Sequence, residues 1–256
     1  MNAVTSPNPV RIFPGVRIYA DAHAVCTAVA QEWMRLAQES IALRGAFHVA
    51  LSGGRTPQGL YERLAEPDYA FRPEWNRTFI YFGDERAVPP DHEQSNYRMV
   101  KQALLDKISI PPAQIQRMEA ERSDLKKAAM DYSRMLAMTL PQASNGMPQF
   151  DLLLLGMGDD GHVASLFPGT EAMREPRKLV VPVHAQHLDS WRLSLTFPVI
   201  NHARRVMLLV CGSAKAPMVH RALREPPGPE PLPVQRVAPV TGKLDWRLDQ
   251  AAAAQL

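Results

Sequence analysis

The sequence lacks the features that mark several common classes of protein. No apolar stretch approaches the roughly 20 residues that a membrane-spanning helix needs, and residues 1–14 contain prolines and polar side chains but no apolar signal core. Charges of one sign do not cluster, and a net charge of +3 is too small to indicate a nucleic-acid-binding surface. These absences favour a cytoplasmic protein without membrane or nucleic-acid contacts, and they leave room for a local basic pocket that binds an anionic metabolite.

Cysteine is scarce, with only Cys26 and Cys211 in 256 residues. Both lie among apolar neighbours, which is more typical of small buried side chains in a reducing compartment than of a disulfide or a reactive thiol. The H-E-x-x-H pattern and paired cysteine motifs are absent, and His184, His187 and His202 show no ligand spacing. The sequence therefore predicts no metal centre.

One enzyme motif is missing from the whole chain, and two nucleotide-binding motifs are missing from its first glycine-rich segment. There is no G-x-S-x-G motif of a serine hydrolase. The glycine-rich segment after residues 46–51 has neither the lysine and spacing of a P-loop nor the dinucleotide-binding pattern G-x-G-x-x-G. That segment is therefore neither a P-loop nor a dinucleotide-binding loop, and serine-hydrolase chemistry is not expected.

What the sequence does contain is a regular alternation of strand and helix patterns. Several strand patterns are apolar without alternation, as expected when helices cover both faces of a sheet. The sequence therefore predicts an α/β fold, with a doubly wound, mainly parallel sheet and helices on both faces, in a single domain of residues 1–256 with an irregular N-terminus at 1–14. The predicted strands are 16–19, 46–51, 78–82, 151–155, 179–181, 193–197 and 206–210, and the predicted helices lie between Asp21 and Gly45, after Pro57, at 96–105, at 122–140 and after Lys215.

Four polar or glycine-rich segments follow predicted strands. They are Ser52–Thr56, Gly83–Arg86, Gly156–His162 and Gly212–Lys215. Because ligands of doubly wound sheets bind beyond the carboxyl ends of the strands, we expect the four segments to converge on one edge of the sheet.

Each segment has a functional and a structural interpretation. Ser52–Pro57 is either an anion-binding loop at a helix N-terminus or a tight turn with a helix cap. The Asp84, Glu85 and Arg86 side chains either bind substrate oxygens or form a solvated ion pair in a surface loop. His162, with Asp159 or Asp160 to orient its ring, is either a general base or a residue of a glycine-rich turn.

Taken together, five segments in order along the chain resemble the 6-phosphogluconolactonase family. They read LSGGRTP at 51–57, GDERAVPPDHEQSNY at 83–97, GMGDDGHVASLFPG at 156–169, RLSLTFPVIN at 192–201 and CGSAKA at 211–216. The resemblance implies a Rossmann-like, NagB-type fold and hydrolysis of 6-phospho-D-glucono-1,5-lactone to 6-phospho-D-gluconate, the second step of the oxidative pentose phosphate pathway, without a metal or organic cofactor. We expect a phosphosugar lactone as the ligand of a monomer or small homo-oligomer.

The resemblance also implies roles for individual residues. His162 is the expected general base, which then protonates the ring oxygen that leaves. Asp84 is expected to hold the histidine, the water or sugar hydroxyls, and Arg86 to bind substrate oxygens or developing negative charge. The phosphate- and substrate-binding residues are expected to be Ser52, Gly53, Gly54, Arg55, Thr56, Asn96, Gly161, Arg192 and Lys215. Which of Arg55, Arg86, Arg192 and Lys215 touches the phosphate stays open.

Two alternatives accompany this expectation. Glucosamine-6-phosphate deaminases are similar at the glycine-rich loop and around D-G-H, but they typically continue D-G-H-I-A-F-N-E-P, whereas this chain continues V-A-S-L-F-P at 163–168. A non-catalytic phosphosugar sensor normally carries a DNA-binding domain, and the roughly fifteen residues before the first predicted strand leave no room for a helix-turn-helix. The lactonase is therefore favoured over both.

Overall fold

The computed structural model describes residues 13–256, so the predicted irregular N-terminus at 1–14 lies mostly outside the described residues. Within this range the strands are β1 Val16–Tyr19, β2 Phe47–Leu51, β3 Thr78–Phe82, β4 Asp84–Arg86, β5 Ile115–Gln116, β6 Leu152–Leu155, β7 Val180–Ala185, β8 Ser190–Leu195, β9 Arg205–Val210 and β10 Lys243–Asp249. The helices are α1 Ala22–Arg44, α2 Arg55–Leu64, α3 Pro67–Ala70, α4 Asn96–Ala103, α5 Leu125–Thr139, α6 Phe197–Ile200 and α7 Ala216–Arg224.

Seven of these strands form one parallel sheet in the order β1–β10–β9–β6–β2–β3–β5. The central strand β6 is the apolar run Leu152–Leu155, whose four side chains are fully buried. From β2 the chain moves outward to β3 and β5, whereas from β6 it moves outward to β9 and β10 on the other side. The boundary between β2 and β6 is therefore a topological switch point, where doubly wound sheets bind ligands. This arrangement confirms the predicted fold class.

Local signals set the ends of the helices that lie against the sheet. Asp21 begins α1, where its Oδ1 accepts a hydrogen bond of 2.8 Å from the Ala24 amide. Gly45, with a left-handed φ of +81°, ends the same helix. Ser95 Oγ accepts a hydrogen bond of 3.1 Å from the Arg98 amide at the start of α4. The sequence predicts all three positions because a cap depends only on residues within one helical turn.

One predicted loop is a strand. The segment Gly83–Arg86 is expected as a loop, but Asp84–Arg86 forms β4 of a second, antiparallel sheet in the order β4–β8–β7. The prediction was wrong because the strand is short and charged, and its pairing partner β8 lies more than a hundred residues further along the chain. The pairing places Arg86 directly opposite Arg192.

The sequence prediction missed two other strands. β5 has only two residues. β10 alternates charged and apolar residues, which is the pattern of a half-buried strand, so a local signal for it was present. Its Arg247 is fully buried and pairs with Glu32 of α1 at 2.7 Å. A buried arginine keeps its charge only with such a partner. The described residues contain no helix that is long and apolar enough to cross a membrane.

Candidate active site

The four predicted strand-end segments meet in one pocket at the carboxyl edge of the parallel sheet. The pocket has a volume of about 710 Å³ and lies over the switch point between β2 and β6. This size is typical of sites that bind small molecules. The residues that contribute to its lining include Ser52–Pro57, Asp84, Arg86, Asn96, Gly156–Asp159, His162, Arg192, Cys211–Lys215 and Asp249. The predicted convergence is therefore confirmed. Of the residues expected to act in catalysis or binding, Gly161 alone does not line the pocket, and the further candidates Glu85 and Asp160 do not line it either.

The loop Ser52–Thr56 leads from β2 into the first turn of α2. Gly54 has a φ of +106°, a conformation that side-chain-bearing residues rarely adopt, and α2 begins at Arg55 directly after it. Arg55 is exposed, and its side chain has no hydrogen bond or ion pair with the residues that the structure describes. The ten-residue helix thus presents its unsatisfied amides and the Arg55 guanidinium at the pocket, an arrangement suited to an anion.

Ser52 has a connecting role in this loop. Its Oγ accepts a hydrogen bond of 3.2 Å from the Gly156 amide and donates one of 3.1 Å to the Gly53 carbonyl. The Tyr61 hydroxyl binds the Ser52 backbone from α2. These contacts hold the loop after β2 against the loop after β6.

Asp84 presents a fixed carboxylate at the pocket. It is 5% exposed, and its Oδ2 accepts a hydrogen bond of 2.7 Å from the Ser165 hydroxyl. The Asn96 amide donates to the Asp84 carbonyl at 2.9 Å and to Oδ1 at 3.3 Å. A Cβ at Gly53 would lie only 2.0 Å from Asn96 Oδ1, so the glycine leaves the room that Asn96 occupies. Asn96, predicted to bind substrate, therefore also positions Asp84.

Glu85 fixes the start of α4 from the strand that carries Asp84. Its carboxylate accepts hydrogen bonds of 2.7 Å from the amides of both Asn96 and Tyr97, and the Ser95 hydroxyl donates to it at 3.1 Å. A carboxylate at a helix N-terminus is favourable because it satisfies free amides next to the positive end of the helix dipole. Glu85 points away from the pocket lining and acts by placing Asn96.

Arg86 and Arg192 bring two positive charges to one wall of the pocket. They are opposite each other in the pairing of β4 with β8, and both line the pocket. Arg192 is 9% exposed, and its guanidinium lies 5.7 Å from the centre of the Phe167 ring. Burial lowers the pKa of Arg192, Asp84 opposes this shift and Arg86 adds to it. Two neighbouring guanidinium groups repel each other, so an anion between them would relieve the repulsion.

His162 has a defined acid partner, which is Asp160. Asp160 Oδ1 lies 2.6 Å from the His162 ring Nδ1 and also accepts a hydrogen bond of 3.1 Å from the His162 amide. Burial acts to raise the pKa of Asp160, but the hydrogen bonds from His162 outweigh it and lower the pKa to about 2. Asp160 is therefore ionised at neutral pH. The proton between them belongs to Nδ1, which leaves the lone pair on Nε2.

Two neighbours fix the orientation of the His162 ring. Its centre lies 4.5 Å from the centre of the Phe167 ring. On another side, a Cβ at Gly158 would lie 2.0 Å from His162 Nδ1 and 2.7 Å from Asp160 Oδ1. Only glycine at position 158 allows the histidine and its carboxylate partner to pack against the turn. Gly158 is therefore explained by the close packing of the His162 ring against its backbone.

Lys215 approaches the pocket from the turn after β9. Its Nζ forms an ion pair of 2.5 Å with Asp159 Oδ1, so the two adjacent acids of the segment have separate partners. The Gly212 amide donates to both oxygens of Asp249 at 3.0 Å, and this contact holds the turn that carries Lys215. The sequence prediction missed Asp249 together with its strand β10.

Gly161 lies behind the pocket wall. Its carbonyl accepts a hydrogen bond of 3.0 Å from the Val234 amide. A Cβ at Gly161 would lie 3.2 Å from Leu232 Cδ2 and 3.3 Å from Met218 Sδ. Gly161 has a φ of +79°, so it serves the turn before His162. The proline-rich segment 226–233 thus ends against the turn that carries the histidine.

The two cysteines are free thiols, as the sequence predicts. Burial raises the pKa of Cys211 to about 12 and that of Cys26 to about 11. Both therefore stay protonated at neutral pH and are poor nucleophiles. Among residues 13–256 no three His, Cys, Asp or Glu side chains are grouped so that they could hold a metal ion.

The fold and the pocket define a doubly wound α/β protein whose pocket, at the switch point of the sheet, is lined by positively charged side chains. The chain belongs to the family described as glucosamine-6-phosphate isomerases/6-phosphogluconolactonase, whose sequence model matches residues 20–246. This result confirms the family that the sequence motifs resemble.

Individual relatives agree with this membership. The chain is 39% identical over 218 residues to a 6-phosphogluconolactonase of Synechocystis sp., which covers 85% of this chain and 88% of the relative. The solved structure of 6-phosphogluconolactonase from Trypanosoma cruzi superposes with a TM-score of 0.84 at 30% identity, over 97% of this chain and 98% of the other. A monomeric glucosamine-6-phosphate deaminase, at 20% identity, shares the fold with a TM-score of 0.74 over 94% of this chain and 99% of the other.

Proposed function

We propose that the protein hydrolyses 6-phospho-D-glucono-1,5-lactone to 6-phospho-D-gluconate. The observation that carries the proposal is the His162–Asp160 pair, 2.6 Å apart, whose histidine lines the same pocket as Asp84, three arginines and Lys215. A histidine that can take up a proton suits ester hydrolysis, and the surrounding cations suit a substrate that carries a phosphate. The name and identity of the Synechocystis relative support the same reaction.

In the proposed mechanism His162 serves both halves of the reaction. Nε2 takes a proton from water as the water oxygen forms a bond to the lactone carbonyl carbon. When the tetrahedral intermediate collapses, the bond from that carbon to the ring oxygen breaks, and the imidazolium returns the proton to this leaving oxygen. Asp160 stabilises the imidazolium between the two steps because its carboxylate stays ionised beside Nδ1.

The other residues bind and orient the substrate. The buried Asp84 carboxylate accepts hydrogen bonds from sugar hydroxyls, and Arg86 stabilises the negative charge that develops on the carbonyl oxygen. Arg192, Lys215 and the loop Ser52–Thr56 hold the phosphate, with Arg55 and the amides at Gly53 and Gly54 beside it. Because the phosphate is remote from the reacting bond, its binding energy orients the carbonyl.

The test is the activity of a His162→Ala variant on the phosphorylated lactone after subtraction of spontaneous hydrolysis. We expect kcat to fall by about 10²–10⁴-fold, the usual contribution of a general base. His202→Ala is the matched control, since His202 is bound to Pro198 and Asn145 outside the pocket. Turnover of His162→Ala near that of the control would contradict the assignment.

The alternative function is glucosamine-6-phosphate deamination. The structure bears on it through Ser165 and Phe167, because these residues of the V-A-S-L-F-P continuation contact Asp84 and His162. They therefore belong to the site that we assign to lactone hydrolysis. Ammonia release from glucosamine 6-phosphate by the wild-type protein would support the alternative.

The proposal extends to the setting of the protein. We propose a cytoplasmic enzyme that acts on a phosphosugar lactone, as a monomer or small homo-oligomer in one domain and without a nucleic-acid partner. The mild net charge of +3 supports the expectation that nucleic acid is not a partner. Sedimentation analysis would test the expected size.

A further inference from the structure

The Lys215 ammonium, to which we assign phosphate binding, already forms an ion pair with Asp159. Lys215 Nζ lies 2.5 Å from Asp159 Oδ1, and both residues line the pocket. The Asp159 side chain is 80% exposed, and no other hydrogen bond or ion pair holds it within the described part of the chain. The lysine itself is only 26% exposed. The carboxylate is therefore free to turn outward into solvent while the ammonium stays at the pocket.

We propose that Asp159 is an internal counter-ion of Lys215 that the substrate phosphate displaces, so that it keeps the lysine paired while the pocket is empty and weakens the binding of phosphate. This inference rests on the proposed phosphate role of Lys215. A phosphate carries almost two negative charges and several acceptor oxygens, so it outcompetes a single exposed carboxylate. A lactone without a phosphate has no charge with which to displace Asp159.

The neighbouring residue shows why Asp159 and not Asp160 is displaceable. Asp160 is held by the ring and the amide of His162, at 2.6 and 3.1 Å, and its side chain is 40% exposed. Among residues 13–256, Lys215 is the one hydrogen-bond or ion-pair partner of the Asp159 side chain. The two acids of this turn therefore have different roles. Asp160 stays bound to His162, whereas Asp159 leaves Lys215 when phosphate binds.

The test is the affinity for inorganic phosphate, measured by isothermal titration calorimetry. An exposed ion pair contributes little stability, so its removal is expected to strengthen phosphate binding by about two- to fivefold in Asp159→Asn. Asp159→Glu, which keeps the charge, is expected to bind phosphate like the wild type. Asp106→Asn is the matched control, because Asp106 forms an equally short pair with Lys101 outside the pocket.

The Lys215→Ala background separates a specific effect from a general change of charge. If Asp159 acts through Lys215, Asp159→Asn strengthens phosphate binding in the wild type and leaves it unchanged in Lys215→Ala. An equal gain in both backgrounds, or no gain in the wild type, would overturn the inference. Phosphate binding that does not weaken in Lys215→Ala would overturn it together with the assigned role of Lys215.

Kinetics give a second readout and keep the two proposals apart. For Asp159→Asn we expect a two- to fivefold lower KM for the phosphorylated lactone, with a larger effect on KM than on kcat. For the same lactone without phosphate, which does not displace Asp159, we expect Asp159→Asn to have the KM of the wild type. A wild-type protein that does not hydrolyse the lactone would refute the proposed function, whereas the calorimetric result would still decide the role of Asp159.

Discussion

Gly158 shows at the scale of one residue how backbone space controls a reactive side chain. A Cβ at this position would lie 2.0 Å from Nδ1 and 2.2 Å from Cε1 of His162. These atoms belong to a ring held by Asp160 and Phe167, so the ring has to leave its position to make room.

We predict that Gly158→Ala folds but loses most of its activity. A displacement of about 1 Å at a reacting group costs roughly 10²-fold in rate, so we expect a fall in kcat of that order. Steady-state kinetics with the phosphorylated lactone provide the measurement. Gly228→Ala is the control, because a Cβ there meets nothing within 4 Å. A Gly158→Ala variant as active as this control would show that the ring is not confined.

The sequence alone identifies His162 as a candidate but does not choose its partner. The prediction leaves the orienting acid open between Asp159 and Asp160 and adds Asp84. Because the turn at Gly161 has a left-handed φ of +79°, the Asp160 carboxylate folds back onto the ring, while Asp159 points to Lys215. The sequence does not distinguish the two acids, because both Asp159 and Asp160 are close enough to His162 along the chain to contact its ring.

At the scale of elements, the segment after α7 packs behind the turn that carries His162. Leu232 and Val234 are 6% and 1% exposed, and both contact Gly161, through side-chain packing and through the Val234 amide. The same helix α7 begins directly after the turn Ser213–Lys215. One continuous stretch of chain therefore connects Lys215 with the residues that pack against the turn before His162.

We predict that Leu232→Ala lowers both the free energy of unfolding and kcat. Truncation of a buried leucine costs about 2 kcal/mol or more, and here the cavity would lie directly behind Gly161. Thermal denaturation and kinetics with the phosphorylated lactone measure the two effects. Leu43→Ala, at an exposed position on α1, serves as the control. A variant with reduced stability but unchanged kcat would mean that the segment only contributes to folding.

The whole molecule couples ligand binding to stability, because the pocket is assembled from the ends of many strands. Residues that follow β1, β2, β3, β6 and β9, and the end of β10, all contribute to its lining. A ligand that binds this folded site and not the unfolded chain stabilises the protein by mass action.

We predict that inorganic phosphate raises the melting temperature. At ten times its Kd, phosphate adds about 1.4 kcal/mol, which corresponds to roughly 3–6 °C for a chain of this size. Differential scanning fluorimetry in phosphate and in chloride of equal ionic strength measures the shift. The shift should be much smaller in Lys215→Ala at the same phosphate concentration. Equal shifts in the variant and the wild type would show that phosphate stabilises the protein elsewhere.

By itself, the sequence determined the features that depend on near neighbours. The apolar runs predicted the central strands, and Asp21, Ser95 and Gly45 predicted helix ends. The alternation of strands and helices predicted a parallel sheet with four polar segments at one edge. These signals are local because capping and periodicity act within a few residues.

Only the tertiary structure decided the contacts that join distant parts of the chain. It placed Arg86 opposite Arg192, Ser165 on Asp84 and Asp249 on Gly212. Each partner lies in a separate element, and the short charged strand β4 gains stability from pairing with β8 that no local pattern encodes. Most side chains of the proposed site were therefore visible in the sequence, whereas their arrangement followed from the packing of the sheet.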